Sequence, residues 1–357
     1  MKRWMIWFAT ALLSVGTALA EESAPGRHIV ETISGEAYAV AVDAGVYGEE
    51  QKAVQAYRVT TLDLGKNPEA HFDLALWFGT DALLEKTGGD YTIFYPKGED
   101  AEIGARDEAG FSPYGLYFER ATNARLEFPL ERWNQGRIQE KTNTAEIPEG
   151  ISLTDAADDI LPIAGALGVT MARRPVFISA MTQADWQAET AQKMARGIAP
   201  HERVVEDWTA EDESIQLNYR QFFHGLPMLE TDAHMPGILE WETPLTMVSA
   251  TVSRRGVERL DFRFVVGGET LLGEAFAPIS PEEALAACNE AELGLDGWQN
   301  LHVSAVELGY AMLAQNRAKT ECIARPAWLI RIWGEIFGET ESVAVAVDAQ
   351  TGKILTQ

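Results

Sequence analysis

Between residues 280 and 355 one helix-start signature is followed by three long apolar runs, and a chain with that order has few ways to bury them. Ser280-Pro281-Glu282-Glu283 supplies a hydroxyl cap, a proline at the first helical position and two acids in the first turn, ahead of residues 284–291. A helix starts there. After the break at 294–297 come residues 301–313, 320–333 and 342–355, rich in Val, Ile, Leu and aromatics, which predict three antiparallel strands packed under that helix. In the last run Asp348 offers a local side-chain acceptor and Gly352 tolerates positive φ, so the run folds back on itself as a hairpin.

At 357 residues, 46% hydrophobic and 23% charged, the chain is an ordinary globular sequence long enough for two cores, or for one repeated plan. Its first twenty residues stand apart. Lys2-Arg3 precede an uncharged run over 4–20 that ends in Ala18-Leu19-Ala20, the pattern of a secretory signal cleaved before Glu21. Retention of the same run as an anchor is the alternative, since its length is at the lower limit of about 17 residues for a span. No Cys follows the signal to carry a lipid, and no later stretch reaches spanning length. The expectation is a secreted or cell-surface protein with no stable membrane span after cleavage.

Losing Lys2 and Arg3 with no acid moves the formal net charge from −25 to −27. Such a chain repels nucleic acid and anionic headgroups. Metal ions, basic peptides and cationic polymers remain as partners, beside the plain reading of acidity as a solubility device.

Three divisions follow the signal: an N-terminal α+β domain over 21–150, an α+β module over 151–270, and the helix-plus-three-strand module over 271–357. In the first, residues 36–44 and 54–64 read as strands. Asn67-Pro68 opens a helix with Phe72, Ala75, Leu76, Leu83 and Leu84 on its apolar face, and 91–96 and the pair 114–119 and 124–128 are strand-like. The polar stretch 133–150 marks the boundary. Thr154 then caps a helix to residue 166 despite Pro162, followed by a strand over 169–181, a helix over 182–199 and an acidic linker over 206–213. Residues 215–228 are extended with a break at Gly225, and 245–252 and 257–266 form a hairpin turned at Arg254-Arg255-Gly256. The helix, strand, strand, hairpin order from 154 is echoed from 280. The fold class expected is α+β, two tandem modules of antiparallel sheet with helices packed on one face.

Val347-Asp348-Ala349-Gln350-Thr351-Gly352-Lys353-Ile354 resembles the closing hairpin of PepSY-like domains, and Arg325-Pro326-Ala327-Trp328 resembles the Pro-x-Trp strand before it. Residues 220–228, Arg220-Gln221-Phe222-Phe223-His224-Gly225-Leu226-Pro227-Met228, are similar to a strand of the YycH/YycI-type regulators and of uncharacterised exported proteins of Gram-positive gut bacteria. The resemblance covers roughly residues 154–357. It implies an extracytoplasmic sensor or interaction module without catalysis. YycH and YycI keep a membrane helix and act on a kinase, whereas the signal here reads as cleaved, so a kinase-regulating role does not transfer.

Reactive constellations are few in this sequence. The six histidines contain no pair four apart around a Glu, as a zinc protease helix needs. His224, Asp232 and His234 flank a hairpin and are weighed for a divalent ion against the plain reading of exposed turn residues. With 54 acids, a glycosidase carboxylate pair can be neither selected nor dismissed. Trp208, Trp241, Trp298, Trp328 and Trp333 suit sugar platforms or, more commonly, packing. Neither a Gly-x-Ser-x-Gly turn nor a phosphate loop is present. Cys288 and Cys322 form an even pair that an oxidising compartment would permit to bond, or two small buried apolar residues. No catalytic, cofactor or metal residue is assigned. The function expected is a non-catalytic exported binding or regulatory protein for a protein or peptide partner at the cell envelope, touching it through Trp328, Trp333, Arg254 and Arg255. The alternative is a carbohydrate-active enzyme or cell-wall glycan binder; a secreted protease inhibitor is a third reading.

Overall fold

The computed structural model describes residues 26–34, 39–66, 68, 71–98, 106–126, 146–197, 204–229, 244, 246–289, 293, 295, 297–336 and 339–355. The chain forms β1 (Arg27–Ser34), β2 (Ala39–Tyr47), β3 (Val54–Thr61), the short α1 (Leu74–Phe78), β4 (Leu83–Gly88), β5 (Tyr91–Pro96), β6 (Glu108–Ser112) and β7 (Gly115–Glu119). Then come α2 (Leu153–Ala166), β8 (Thr170–Met171), β9 (Phe177–Met181), α3 (Gln183–Arg196), β10 (Ser214–Tyr219), β11 (Gln221–Phe223) and β12 (Leu226–Pro227). β13 (Val248–Ser253), β14 (Gly256–Arg263), β15 (Val266–Phe276), α4 (Pro281–Asn289), β16 (Gln299–Ala314), β17 (Glu321–Ile336) and β18 (Glu339–Asp348) complete it. The protein is α+β and mostly sheet.

The C-terminal segment folds as its sequence directs. β16, β17 and β18 pair antiparallel, and α4 lays Ala284, Leu285 and Cys288 against Trp328, Ile330, Ile332 and Val345. Ser280 Oγ accepts from the Glu283 N–H while the Glu283 carboxylate accepts from the Ser280 N–H, a reciprocal cap. At the closing turn Asp348 Oδ1 accepts the N–H groups of Gln350 and Thr351, and Gly352 sits at φ 69°.

The chain is not divided at 150 and 270, however. One sheet runs β1-β2-β16-β17-β3-β15, with β18 also on β17, so strands from all three expected divisions share it. The alternation Val40, Val42, Ala44, Val46 explains why. All four are buried, and strands beside β16 and β17 can bury that face against the core already built under α4.

β17 is longer than either neighbour on one of its sides: residues 321–324 pair with β3 and 327–336 with β18. Pro326 stands at the changeover. Thr61 N donates to Thr320 O, so by strict alternation Cys322, Ala324 and Pro326 address that same side, and the N–H a proline lacks falls where the partner changes. Its carbonyl is used, accepting from Ala349 N at 3.0 Å.

The second sheet is antiparallel throughout in the order β4-β5-β6-β7-β14-β13-β10-β9. α2 buries Ile160, Ile163 and Ala164 on one face, against Leu217, Tyr219, Leu260, Phe262 and Ile178. α3 places Trp186 with Met181. Ile178 and Met181 lie three residues apart on β9 and point to opposite sides, so the two helices cover opposite faces rather than one.

Local corrections have local causes. Ser152, not Thr154, caps α2, its Oγ accepting from Asp155 N. The helix expected from Asn67 is confined to 74–78, because Gly79 at φ 68° ends it and Leu83 and Leu84 enter β4. The acidic stretch 206–213 is packed rather than a linker: Trp208 stacks on Trp186 at 4.9 Å, and Asp212 is buried, accepting from Thr209 N at a short 3-10 turn over Ala210–Asp212. β15 had no forecast, since Gly267, Gly268 and Gly273 and a nearly uniform exposure erase any alternation.

Trp328 is 1% exposed and its indole N–H donates to Ile279 O at 3.0 Å, tying α4's entry to β17. Replacing it by alanine is expected to cost about 3–5 kcal/mol in chemical denaturation. A change within about 0.5 kcal/mol, the range of a surface position, would contradict this placement.

Candidate functional site

Three sheets meet at a hairpin whose turn is His224-Gly225. Phe223 pairs with Leu226, and both turn residues have positive φ, 47° and 79°, as a two-residue connection matching strand twist requires. The hairpin docks on β16 through a bare spot. A Cβ on Gly309 would lie 2.5 Å from Pro227 O, and with none there Leu229 N donates to Tyr310 O at 2.9 Å. Arg220 Nη1, just before β11, reaches Glu307 Oε1 on β16 at 2.5 Å, both side chains largely buried.

This docking lays the turn over an aromatic cluster. His224 stacks on Tyr57 with centroids 4.3 Å apart and planes 9° apart, while Phe223 meets both Tyr57 and Tyr310 edge-on at 5.2 Å. His224 Nε2 lies 3.0 Å from Glu269 Oε2 on β15. Burial and, secondarily, the Glu269 carboxylate push the Tyr57 hydroxyl above its usual range; burial, then Tyr57, do the same to Tyr310. Beside the cluster opens a groove of about 330 Å³. Its walls are the end of α2 with β8 (Gly168, Val169, Thr170), the β11 hairpin, and Val266 to Glu269 of β15.

β15 is the margin of its sheet, and its outward groups can be identified. Thr61 addresses β17, so Val59 and Tyr57 do too, and Thr60, Arg58 and Ala56 address β15. Their partners Gly268, Thr270 and Leu272 therefore turn their main-chain groups inward, and Glu269 and Leu271 turn theirs outward. No strand takes these up among the described residues. Leu271, opposite Tyr57, is 58% exposed.

Apart from His224, the residues singled out in the sequence lie elsewhere. Trp328, in the core under α4, and Trp333 are both buried, so neither presents a contact surface. Arg254 and Arg255 do tip the β13–β14 hairpin, but Arg254 Nη2 reaches Glu213 Oε2 at 2.5 Å, and Arg255 Nε reaches the fully buried Glu258 at 2.6 Å. Both are paired with carboxylates of the fold, Arg255 half-buried and Arg254 still exposed. Cys288 and Cys322 are free thiols in one core, with no bond between them, and burial pushes each up to about 12. Of the weighed metal set only His224 is described, and Asp232, His234 and Trp241 lie outside the described residues. Among those described, no three His, Cys, Asp or Glu side chains gather as ligands, and no helix is long and apolar enough to cross a membrane. The groove itself had no signal in the sequence, since its parts come from residues 168–170, 221–228 and 266–269.

Neither a protein-family model nor a curated protein matches this chain. Among solved structures, an uncharacterised protein from Eubacterium rectale ATCC 33656 is similar over 95% of this chain and 96% of its own, at 13% identity and a TM-score of 0.62, which shows a shared fold. The C-terminal domain of Bacillus megaterium YpeB matches 83% of this chain and 96% of its own at 10% identity, with a TM-score of only 0.31.

Two expectations follow from these positions. Thiol titration of the native protein should find both cysteines unreactive, with two equivalents appearing only in denaturant; none appearing there would mean that they are bonded. Because the Tyr57 hydroxyl is raised, the stability it contributes is present below its ordinary value and lost as pH rises through its folded one. Glu269→Gln should move the Tyr57 phenolate, and to a lesser extent that of Tyr310, to lower pH in an ultraviolet titration, and an unmoved curve would separate Glu269 from Tyr57.

Proposed function

We propose that the chain is an exported, non-catalytic binding or regulatory protein that takes a protein or peptide partner at the cell envelope by adding a strand to β15. The observation that carries this reading is the outer edge of β15, which no strand takes up among the described residues. An extended segment laid there finds the main-chain donors and acceptors of Glu269 and Leu271, an exposed Leu side chain, and a groove for one side chain at the Glu269 end. The register shift after Leu272 and the positive φ of Gly273 confine the site to a few residues. A short edge of that kind favours a specific segment over indiscriminate sheet growth.

Export rests on the Lys2-Arg3 and 4–20 pattern, and the likeness of the closing hairpin to PepSY-like modules favours an extracytoplasmic interaction role. Against the sugar-enzyme reading, Glu269 is the one carboxylate lining the groove among the described residues, where the paired-acid route needs two facing each other.

Leu271→Pro removes an outward N–H without touching the ladder to β3, whereas Leu271→Ala keeps it. Affinity capture from cell-envelope extract should retain a partner on the wild type and on Leu271→Ala and lose it on Leu271→Pro, with unchanged circular dichroism in all three. Equal recovery on the proline variant, or recovery of glycan alone, would overturn the proposal.

A further inference from the structure

The groove beside β15 carries a charge preference of its own. Among the described residues its lining holds one carboxylate, Glu269, and no Lys or Arg. His224 meets only Oε2 of that carboxylate, and the Glu269 side chain is 45% exposed, which leaves acceptor capacity facing the groove. Gly168 and Val169, at the opposite wall, follow the last turn of the fourteen-residue α2, whose C-terminal end contributes partial negative charge and has no basic residue to offset it. Phe223 and His224 add aromatic surface to the lining, and the whole chain carries a net charge of −25.

We infer that this groove selects a lysine or arginine side chain, so that the partner added to β15 is a basic extended segment. The inference rests on the strand-addition reading and names the chemistry of its occupant. The segment's main chain pairs with Glu269 and Leu271, one basic side chain enters the groove toward the Glu269 carboxylate, and the side chain two positions along lies over Leu271 and Tyr57.

Fluorescence anisotropy with three labelled hexapeptides tests this on the mature chain: Thr-Val-Thr-Lys-Val-Thr and the same sequence with Gln or Glu in place of Lys. The Lys peptide should bind about tenfold more tightly than the Glu peptide in 0.15 M salt. Glu269→Gln should bring the three close together while leaving the Gln peptide unchanged. Leu271→Pro should weaken all three alike. Equal binding of the Lys and Glu peptides, or a preference that survives Glu269→Gln, overturns the charge selection and leaves strand addition standing. Full binding to the proline variant with the preference intact overturns strand addition and leaves the groove's choice of a cation standing. If none of the peptides binds, both fall. A dimer of the wild type that Leu271→Pro dissolves would make a second copy of the chain the occupant, and the basic segment would be withdrawn.

Discussion

The architecture depends on β17 changing partner at Pro326. A sixteen-residue strand flanked on one side by two shorter ones needs a point at which neither neighbour supplies an acceptor, and a proline there costs no ladder bond. β18 takes the later part and brings its turn and α4 with it. β3 takes the earlier part and brings β15. Residues from both ends of the chain thereby share one core, in which Val40 and Val59 lie with Ile330 and Val345.

The groove follows from the same arrangement. β3 presents Tyr57 at the point where the His224-Gly225 turn comes down, and the turn can come down because Gly309 leaves room for the Pro227 carbonyl. The Arg220–Glu307 pair fixes the approach from the second sheet. Both of its side chains are largely buried, so it acts as a matched unit: losing one partner would strand the other charge, at about 3–5 kcal/mol. Strand ladder, bare glycine and ion pair together hold β15 beside the β11 hairpin without closing over its outer edge.

Where one local pattern decided an element, the sequence was readable. The Ser280 to Glu283 cap, the three runs after it, the Asp348 and Gly352 turn and the β13–β14 hairpin are all settled by neighbours within a few residues. The partition of strands between sheets is not such a property, because Val54 to Thr61 alternates identically whichever neighbour it finds. Trp328 and Trp333 show the limit from the other side. An aromatic on a strand reads as a contact candidate or as core equally well until both faces of its sheet are known to be covered. Arg254 and Arg255 tip a hairpin that the sequence marks, but Glu213, which pairs with Arg254, comes from a distant stretch, and the burial of Glu258 beside Arg255 depends on the packing around β14. The groove drew on three separate segments, and the residue that makes it possible, Gly309, sits in a run where nothing local marks it.

The parallel pairing of β2 with β16 joins residues near 41–47 to residues near 302–307. During synthesis the earlier strand must wait, unpaired on that side, until almost the whole polypeptide has emerged. The central layer is consequently a late-closing structure: a chain interrupted before β16 leaves β2 with β1 alone and one of its sides bare.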